Sequence, residues 1–271
     1  MPDPSQTSQN PDAQPSEPSA AVDAEMIQTA VEATDAAPSG PKRIAVFFAH
    51  PDDAEFTCAG TVARWVAEGH EVHYVQLTNG DKGSDDPAIT PEQLVAIREA
   101  EQRAACAALG VWNVVFLGHS DAMLVPDLDL RREIVRVIRQ IRPDVVICPD
   151  PTVRWVEQRY INHPDHRAAG EATLDAVYPA ARDRMTFPEL LAEGLEPHKV
   201  REVYLSGAKE PDVAIDISDY IEAKLAALRT HASQLQDWDP DPMIREWAEE
   251  TASHFPNAGK YAESYKYFKL D

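Results

Sequence analysis

Short apolar runs alternate with amphipathic segments along the chain from residue 41 onward. Four runs have the length and composition of buried strands, and they cover Ile44–Phe48, Val72–Leu77, Val114–Leu117 and Asp144–Cys148. Three intervening segments place apolar residues on one helical face, and they cover Thr57–Glu68, Pro91–Leu109 and Leu130–Ile141. This alternation predicts a single α/β domain whose mostly parallel, right-handed, doubly wound sheet carries helices on both faces.

The pattern continues to the end of the chain with more irregular stretches. We expect a helix over Arg167–Ala176, and a start near Pro164 would place His166 in its first turn. Residues 179–199 predict irregular structure with short helices. The remaining elements are strands over Val203–Ser206 and Val213–Ile217, helices over Tyr220–His231 and Met243–Ser253, and an extended segment over Tyr261–Phe268.

The first 40 residues differ in composition from the remainder. They contain six prolines, seven acidic residues and no lysine or arginine. Such a segment cannot bury enough apolar surface to offset its conformational entropy. We therefore predict a disordered acidic tail over residues 1–40 and a folded domain over residues 41–271.

Composition and charge argue against several classes of function. A formal net charge of −21 leaves no stripe of lysine and arginine for phosphates, so no nucleic-acid partner is expected. No apolar segment approaches the roughly 20 residues of a membrane span, and the N-terminus lacks the features of a secretory signal. Cys58, Cys106 and Cys148 have neither disulfide nor zinc spacing. We therefore expect buried free thiols and a cytoplasmic location.

Two His-Pro-Asp segments carry the candidate chemistry. His50-Pro-Asp-Asp53 follows the first predicted strand, and His163-Pro-Asp-His166 lies near a predicted helix start. Ligand sites of α/β sheets lie at the carboxyl ends of strands. A lone His-x-x-Asp pattern usually marks a cap or a turn, and Pro-Asp pairs favour turns. Two such segments, each at a predicted element boundary, favour a metal site instead.

The donor types match a catalytic zinc site, which needs histidines or carboxylates and one open position. We predict His50, Asp53 and His166 as the ligands. Asp52 is then free to act as general base, and His163 to polarise a substrate carbonyl or protonate a leaving amine. Two histidines and one carboxylate also bind non-haem Fe²⁺, but an Fe²⁺ oxygenase is disfavoured by the β-α alternation. A glycine-rich dinucleotide fingerprint is absent.

These motifs and two others indicate a family. The chain resembles the LmbE-like or PIG-L family of zinc-dependent N-deacetylases over about residues 42–268. The segments that carry the resemblance are Ala49-His-Pro-Asp-Asp53, Arg98-Glu-Ala-Glu101, His163-Pro-Asp-His166 and Lys224 through His231-Ala-Ser-Gln234. Three further segments have a layout that looks most like the archaeal diacetylchitobiose deacetylase branch. They are Leu130–Ile141, Arg142-Pro-Asp-Val-Val146 and Pro149-Asp-Pro151.

The resemblance implies a Rossmann-like fold and a role for each motif residue. His50, Asp53 and His166 match the metal ligands of the family. Asp52 matches its general base, and His163 matches the residue that stabilises the tetrahedral intermediate. These roles agree with those expected from the residues alone.

The resemblance also implies supporting and substrate-binding residues. Asp165 matches a residue that orients or tunes His163. Arg98 and Asp121 match positions that contact substrate hydroxyls in some members, and His231 matches a histidine near the site. Without the resemblance, Arg98 would be a helix-surface ion pair, Asp121 a loop cap and His231 a charge at a helix C-terminus.

The implied reaction is removal of the acetyl group from an N-acetylglucosamine-type sugar or conjugate, giving acetate and a free amine. Zn²⁺ is the expected cofactor, with Fe²⁺ or another divalent ion as the alternative. One alternative function is hydrolysis of another N-acyl substrate in thiol or antibiotic biosynthesis, and a second is metal-dependent sugar binding without turnover. Relatives of this kind also imply a homo-oligomer, either a trimer or a hexamer.

Overall fold

A seven-stranded sheet forms the centre of the protein. The computed structural model describes residues 40–270, so the tail predicted over residues 1–40 lies, apart from Gly40, outside the described residues. The strands are β1 (Arg43–Phe48), β2 (Glu71–Thr78), β3 (Asn113–His119), β4 (Val145–Pro149), β5 (Trp155–Val156), β6 (Tyr160–Ile161), β7 (Glu202–Ser206), β8 (Val213–Asp216) and β9 (Ala262–Lys269). The sheet order is β3-β2-β1-β4-β7-β9-β8, and β5 and β6 form a separate hairpin. Strand β9 is antiparallel to both of its neighbours, and the other pairings in the sheet are parallel.

Helices cover both faces of this sheet. They are α1 (Asp53–Thr57), α2 (Ala59–Ala67), α3 (Pro91–Leu109), α4 (Leu128–Ile141), α5 (Pro164–Asp175), α6 (Glu189–Ala192), α7 (Ile221–Leu228), α8 (Ala232–Leu235) and α9 (Asp241–Ser253), and a π-helical turn at Ala176–Ala180 follows α5. Alternate residues of β1 belong to different cores. Ala45 and Phe47 pack with α4 and α5, whereas Ile44 and Val46 pack with α2 and α3. Because both faces are covered, β1 is apolar at consecutive positions.

Helix α3 begins and ends where the sequence predicts. Thr90 accepts a hydrogen bond from the Gln93 backbone, and the Gln93 side chain accepts one from the Thr90 backbone, which forms a capping box. Pro91 occupies the first helical position. Gly110, with φ of 74°, ends the helix in the left-handed conformation. Signals at both ends therefore define this helix locally.

Several boundaries differ from the prediction, and three of the differences concern segments near the His-Pro-Asp motifs. The helix expected over residues 57–68 is two helices, because Cys58 leaves helical geometry (φ −132°) between α1 and α2. Helix α5 begins at Pro164 rather than at Arg167, and His166 lies in its first turn, as predicted. Residues 150–162, for which no strand was predicted, contain the β5–β6 hairpin. Its strands have two residues each, too few for an alternating pattern to be recognised.

The strand order reverses at β1. Strands β2 and β3 lie on one side of β1, and β4 and β7 lie on the other. In open α/β sheets, the crevice beyond the carboxyl ends of the strands at such a reversal is the usual ligand site. His50 follows β1 at this point, and the chain that leaves β4 leads to His163.

Two other predictions concern the cysteines and the membrane. Cys58, Cys106 and Cys148 are free and buried, as predicted. Within residues 40–270, no helix combines the length and the apolar character needed to cross a membrane.

Candidate active site

The first His-Pro-Asp segment forms a tight turn between β1 and α1. Asp52 precedes α1 and has φ of 104°, a conformation that residues other than glycine rarely adopt. The His50 backbone N–H donates to Asp53 Oδ2 at 2.8 Å and closes the turn. Backbone strain of this kind is concentrated at functional sites. The turn therefore presents three polar side chains from four residues at the carboxyl end of β1.

The three predicted ligands converge. His50 Nδ1 lies 3.2 Å from His166 Nε2 and 3.4 Å from Asp53 Oδ2. His166 Nε2 lies 3.1 Å from Asp53 Oδ1. Donors bound to tetrahedral zinc at about 2.0–2.2 Å lie about 3.3–3.6 Å from one another. The chemistry and the spacing of these donor atoms therefore fit Zn²⁺.

In His50 and His166, the ring nitrogen that does not face Asp53 has a partner that orients the ring. His166 Nδ1 lies 2.9 Å from Asn162 Oδ1. His50 Nε2 lies 3.0 Å from Asp121 Oδ1 and 3.3 Å from Asp165 Oδ2. An acceptor at one ring nitrogen keeps the proton there and leaves the lone pair of the other nitrogen for a metal. Each imidazole is thus prepared to coordinate through the nitrogen that faces Asp53.

The carboxylates around His50 favour a positive charge at the site. Burial lowers the pKa of His50, but Asp53, Asp121 and Asp165 outweigh burial and raise this pKa to about 12. Burial raises the pKa of Asp53, but His166 and His50 hold it well below its usual value. A divalent cation would balance the negative charge of these carboxylates, as protons on the histidines otherwise would.

Asp52 pairs with Arg98. Arg98 Nη2 lies 3.1 Å from Asp52 Oδ2 and donates to the Pro51 carbonyl at 2.5 Å. Burial raises the pKa of Asp52 to about 7, against the opposing effect of Arg98. A carboxylate with a pKa near neutrality can accept a proton and return it. This environment suits a general base.

Arg98 is buried beneath a loop, with 3% of its surface exposed. Its Nη1 donates to the Gly80 carbonyl at 3.2 Å. A Cβ at Gly80 or at Gly83 would lie 2.5 Å from this nitrogen, so the two glycines allow the loop to close over the guanidinium. The alternative of a helix-surface ion pair is therefore wrong for Arg98. Its contact with substrate hydroxyls stays a prediction.

His163 is a neutral hydrogen-bond donor at the open side of the site. Its side chain is 35% exposed. Its Nδ1 accepts a hydrogen bond from the Asp165 backbone N–H at 3.2 Å, so the ring proton lies on Nε2. Burial and the charge on His50 lower the pKa of His163. A neutral imidazole with a free Nε2–H can stabilise a developing oxyanion.

His163 also lies close enough to the cluster to be considered as a ligand. Donor atoms of His50, His163 and His166 all lie within 4.8 Å of one another. We favour Asp53 as the third ligand because it lies within 3.4 Å of both other donors. The Nδ1 of His163 is already engaged by the backbone. The assignment of ligands nevertheless rests on geometry and stays a proposal.

Asp165 supports His50 and a loop rather than the ring of His163. It is fully buried, and its carboxylate accepts from the backbone N–H of Ala122 at 2.7 Å and of Leu124 at 3.2 Å. The carboxylate lies 4.0 Å from His163 Nδ1, beyond hydrogen-bonding distance. The backbone N–H of Asp165, and not its side chain, therefore bonds His163, and tuning of His163 by the Asp165 carboxylate stays a prediction.

Asp121 links His50 to the loop after β2. It is 8% exposed, and its backbone N–H donates to Asp81 Oδ1 at 2.7 Å. Lys82 Nζ also reaches the Asp121 carbonyl, at 2.5 Å. These contacts fix the position of the carboxylate beside His50. Contact of Asp121 with substrate stays a prediction.

His231 lies in the interior. It is fully buried, and its Nε2 lies 3.1 Å from Glu55 Oε2. Helix α7 ends at Leu228, so His231 is three residues beyond the helix and is not a surface charge at its terminus. Direct contact of His231 with substrate also stays a prediction.

Sequence reasoning did not identify several residues that support the site. They are Asn162, which bonds His166, Glu55, which bonds His231, Asp81, which bonds Asp121, and Gln102, which bonds Asp52. Asn162 and Glu55 lie next to the two motifs in the chain. Gln102 and Arg98 are four residues apart on the buried face of α3. Two long polar side chains on a buried helical face were the available signal.

Comparison with known proteins places the chain in a family. Residues 45–177 match the family described as PIG-L, GlcNAc-PI de-N-acetylase. Diacetylchitobiose deacetylase of Thermococcus kodakarensis is 35% identical to this chain over 204 residues, which cover 73% of the chain and 74% of that protein. The chain belongs to the PIG-L family. The resemblance inferred from the two His-Pro-Asp segments and two further segments is thereby confirmed.

A second relative and a solved structure extend the comparison. Probable N-acetyl-alpha-D-glucosaminyl L-malate deacetylase 2 of Bacillus anthracis is 31% identical over 198 residues, covering 71% of the chain and 81% of that protein. The structure of N,N′-diacetylchitobiose deacetylase from Pyrococcus horikoshii has a TM-score of 0.78 and 27% identity, covering 90% of this chain and 92% of the other. The predicted Rossmann-like, mostly parallel α/β fold is confirmed.

Proposed function

We propose that this protein is a zinc-dependent N-deacetylase that acts on an N-acetylglucosamine-type sugar or conjugate and releases acetate and a free amine. The observation that carries the proposal is the convergence of His50 Nδ1, His166 Nε2 and the Asp53 carboxylate. The two nitrogens lie 3.2 Å apart, and each lies within 3.4 Å of one of the two carboxylate oxygens. A candidate base, Asp52, lies in the same turn. The named activities of the deacetylase relatives support the reaction class.

Each residue has a role that its contacts support. A zinc ion held by His50, Asp53 and His166 would supply the Lewis acidity that activates water and polarises a carbonyl. Asp52 accepts a proton from the attacking water, because its pKa lies near neutrality. His163 donates its Nε2–H to the amide oxygen as negative charge develops there. Asp52, now protonated, or His163 then delivers a proton to the departing amine.

Three loops at the carboxyl end of the sheet are proposed to select the substrate. They cover residues 79–90, 118–128 and 150–162, and the C-terminal segment adds to them. Trp155 in the third loop is 67% exposed, so its indole is available to stack on a sugar ring. The relatives act on diacetylchitobiose or, in one probable case, on a glucosaminyl malate, and both classes of compound are candidates for this chain.

The test is amine release from a panel of N-acetylated sugars. The panel runs from N-acetylglucosamine through diacetylchitobiose to N-acetylglucosaminyl-inositol and N-acetylglucosaminyl-malate. Each compound is assayed with the purified protein, after chelation, and after Zn²⁺ or Fe²⁺ is restored. Metal analysis of the purified protein identifies the resident ion, and size-exclusion chromatography with light scattering tests for the expected trimer or hexamer.

If chelation abolishes amine release and Zn²⁺ restores it, the proposal is supported. The best substrate then identifies the branch of the family. Restoration by Fe²⁺ but not by Zn²⁺ would reject the assigned metal while keeping the reaction. Bound metal without release from any member of the panel would favour another N-acyl substrate or a binding protein without turnover. Amine release that resists chelation would reject the metal-dependent mechanism.

A further inference from the structure

The peptide group between Pro51 and Asp52 is held at both ends by one helix. Its carbonyl oxygen accepts from Arg98 Nη2 at 2.5 Å, and its N–H donates to Gln102 Oε1 at 3.1 Å. Arg98 and Gln102 are four residues apart and lie one above the other on α3. The orientation of this peptide plane therefore depends on two side chains of a single helix.

The amide of Gln102 can adopt only one orientation in this environment. Gln102 is fully buried. Its Oε1 accepts from the Asp52 N–H and from Gln76 Nε2 at 3.0 Å, and its Nε2 donates to Glu55 Oε1 at 3.1 Å. A flipped amide would point its NH₂ group at the Asp52 N–H donor and its oxygen at a carboxylate. Glu55, which also pairs with His231, therefore determines which end of Gln102 faces Asp52.

The held peptide adjoins the strained residue of the site. Rotation about the N–Cα bond of Asp52 sets its φ of 104°, and one side of that bond is the peptide that α3 holds. A residue other than glycine remains in this region only when its surroundings enforce it. Of the side chains of Arg98 and Gln102, only Arg98 contacts the Asp52 carboxylate, whereas both hold the peptide that precedes Asp52, Arg98 at its carbonyl and Gln102 at its N–H.

We propose that Gln102 is a positioning residue for catalysis, which holds the Pro51–Asp52 peptide in the orientation that directs the Asp52 carboxylate to its task. The proposal rests on the proposed function, in which Asp52 is the general base. Gln102 acts through Asp52 and does not touch the substrate. Its effect should therefore appear in kcat, because misplacement of a catalytic group by about 1 Å can lower a rate about 100-fold.

The first experiment replaces Gln102 by methionine, which has a similar length and makes none of the three hydrogen bonds. We expect kcat of Gln102→Met to fall about 10-fold to 100-fold, with KM within about twofold and the metal content unchanged. The control is Leu109→Ala, a substitution on the buried face of the same helix that destabilises α3 without touching Asp52. It should lower the melting temperature and leave kcat near the wild-type value. A Gln102→Met variant with wild-type kcat would overturn the proposal.

A second experiment separates positioning from general destabilisation. In an Asp52→Asn background, Gln102→Met should lower the residual kcat no further, because the group that it positions no longer accepts a proton. A further loss equal to the loss in the wild-type background would show that Gln102 acts independently of Asp52 and would overturn the proposal.

A third experiment exchanges the two buried groups. Gln102→Glu places two carboxylates in contact and should lower kcat more than Gln102→Met does. Adding Glu55→Gln restores the hydrogen bonds, since the carboxylate introduced at position 102 accepts from the Asp52 N–H and from the new amide at position 55. Recovery of kcat in the double variant supports the orientation argument, and a double variant no better than Gln102→Glu rejects it.

A crystal structure of Gln102→Met gives a readout that does not need turnover. We expect φ of Asp52 to leave the left-handed region, and an unchanged φ near 104° would reject the proposal. Wild-type protein that releases no amine from any substrate would count against the proposed function instead. The two failures are therefore distinguishable.

Discussion

The two His-Pro-Asp segments share three residues and use them in opposite ways. In the first, His50 faces the ligand cluster and Asp52 pairs with Arg98. In the second, His163 is partly exposed and Asp165 is fully buried against His50. In the proposed mechanism, the histidine of the first segment binds the metal and its aspartate accepts the proton. In the second segment, the aspartate supports His50, and the histidine is proposed to contact the substrate.

Backbone geometry accounts for the difference. Asp52 sits in a turn with φ of 104°, whereas His163 is the N-cap of α5 and Pro164 is the first residue of that helix. At a helix N-terminus the Asp165 N–H is free to bond His163, and the Asp165 side chain lies in the interior. Identical tripeptides therefore acquire different chemistry from the path of the chain around them.

The largest effect is expected at the aspartate of the first segment. We expect Asp52→Ala to retain the metal and to lower kcat about 100-fold to 10,000-fold, because it removes the general base. Steady-state kinetics and metal analysis measure the two quantities. Near-wild-type turnover in this variant would show that Asp52 is not the base.

The histidines provide the next largest contrast. We expect His163→Gln to keep the metal and to lower kcat about 100-fold to 1,000-fold, the usual cost of losing an oxyanion donor. His50→Gln, the same substitution in the first segment, should abolish metal binding. If His163→Gln also lost the metal, His163 would be a ligand, and the assignment of Asp53 would need revision.

A smaller effect is expected from the buried aspartate of the second segment. Asp165→Asn places an NH₂ group among two backbone N–H donors and His50. We expect metal affinity to fall about 10-fold to 100-fold, as for other residues that orient a ligand, together with a lower melting temperature. Asp129→Asn, at an exposed position, is the matched control. Chelator competition that shows equal affinity in the two variants would refute the supporting role.

The smallest expected effect is a shift in pH dependence. Asp52 must be ionised to accept a proton, so activity is present above its pKa and is lost as pH falls through it. Arg98 lowers this pKa, and Arg98→Gln should therefore move the acidic limb of kcat/KM upward by about one pH unit or more. Arg103→Gln, on the exposed face of the same helix, should leave the profile unchanged. If the acidic limb does not move in Arg98→Gln, the group that titrates there is not Asp52.

Much of the fold follows from signals within a few residues of one another. The apolar run of β1 and the caps of α3 at Thr90 and Gly110 predicted those elements, because burial on both faces and helix termination are local properties. The break at Cys58 and the β5–β6 hairpin were not predicted. A two-residue strand and a single non-helical residue leave no periodic pattern to detect.

For the candidate site, residue types and chain order led to the prediction that His50, Asp53 and His166 lie together, as they do in the structure. Their roles as ligands, and that of Asp52 as the base, stay predictions. Residue types and chain order could not show which ring nitrogen faces which partner, that Arg98 and His231 are buried, or that Gln102 accepts a hydrogen bond from the Asp52 backbone. His50 and His166 are 116 residues apart, and His231 and Glu55 are 176 residues apart. Local propensity cannot specify contacts between such distant residues, because packing of the helices on the sheet brings them together.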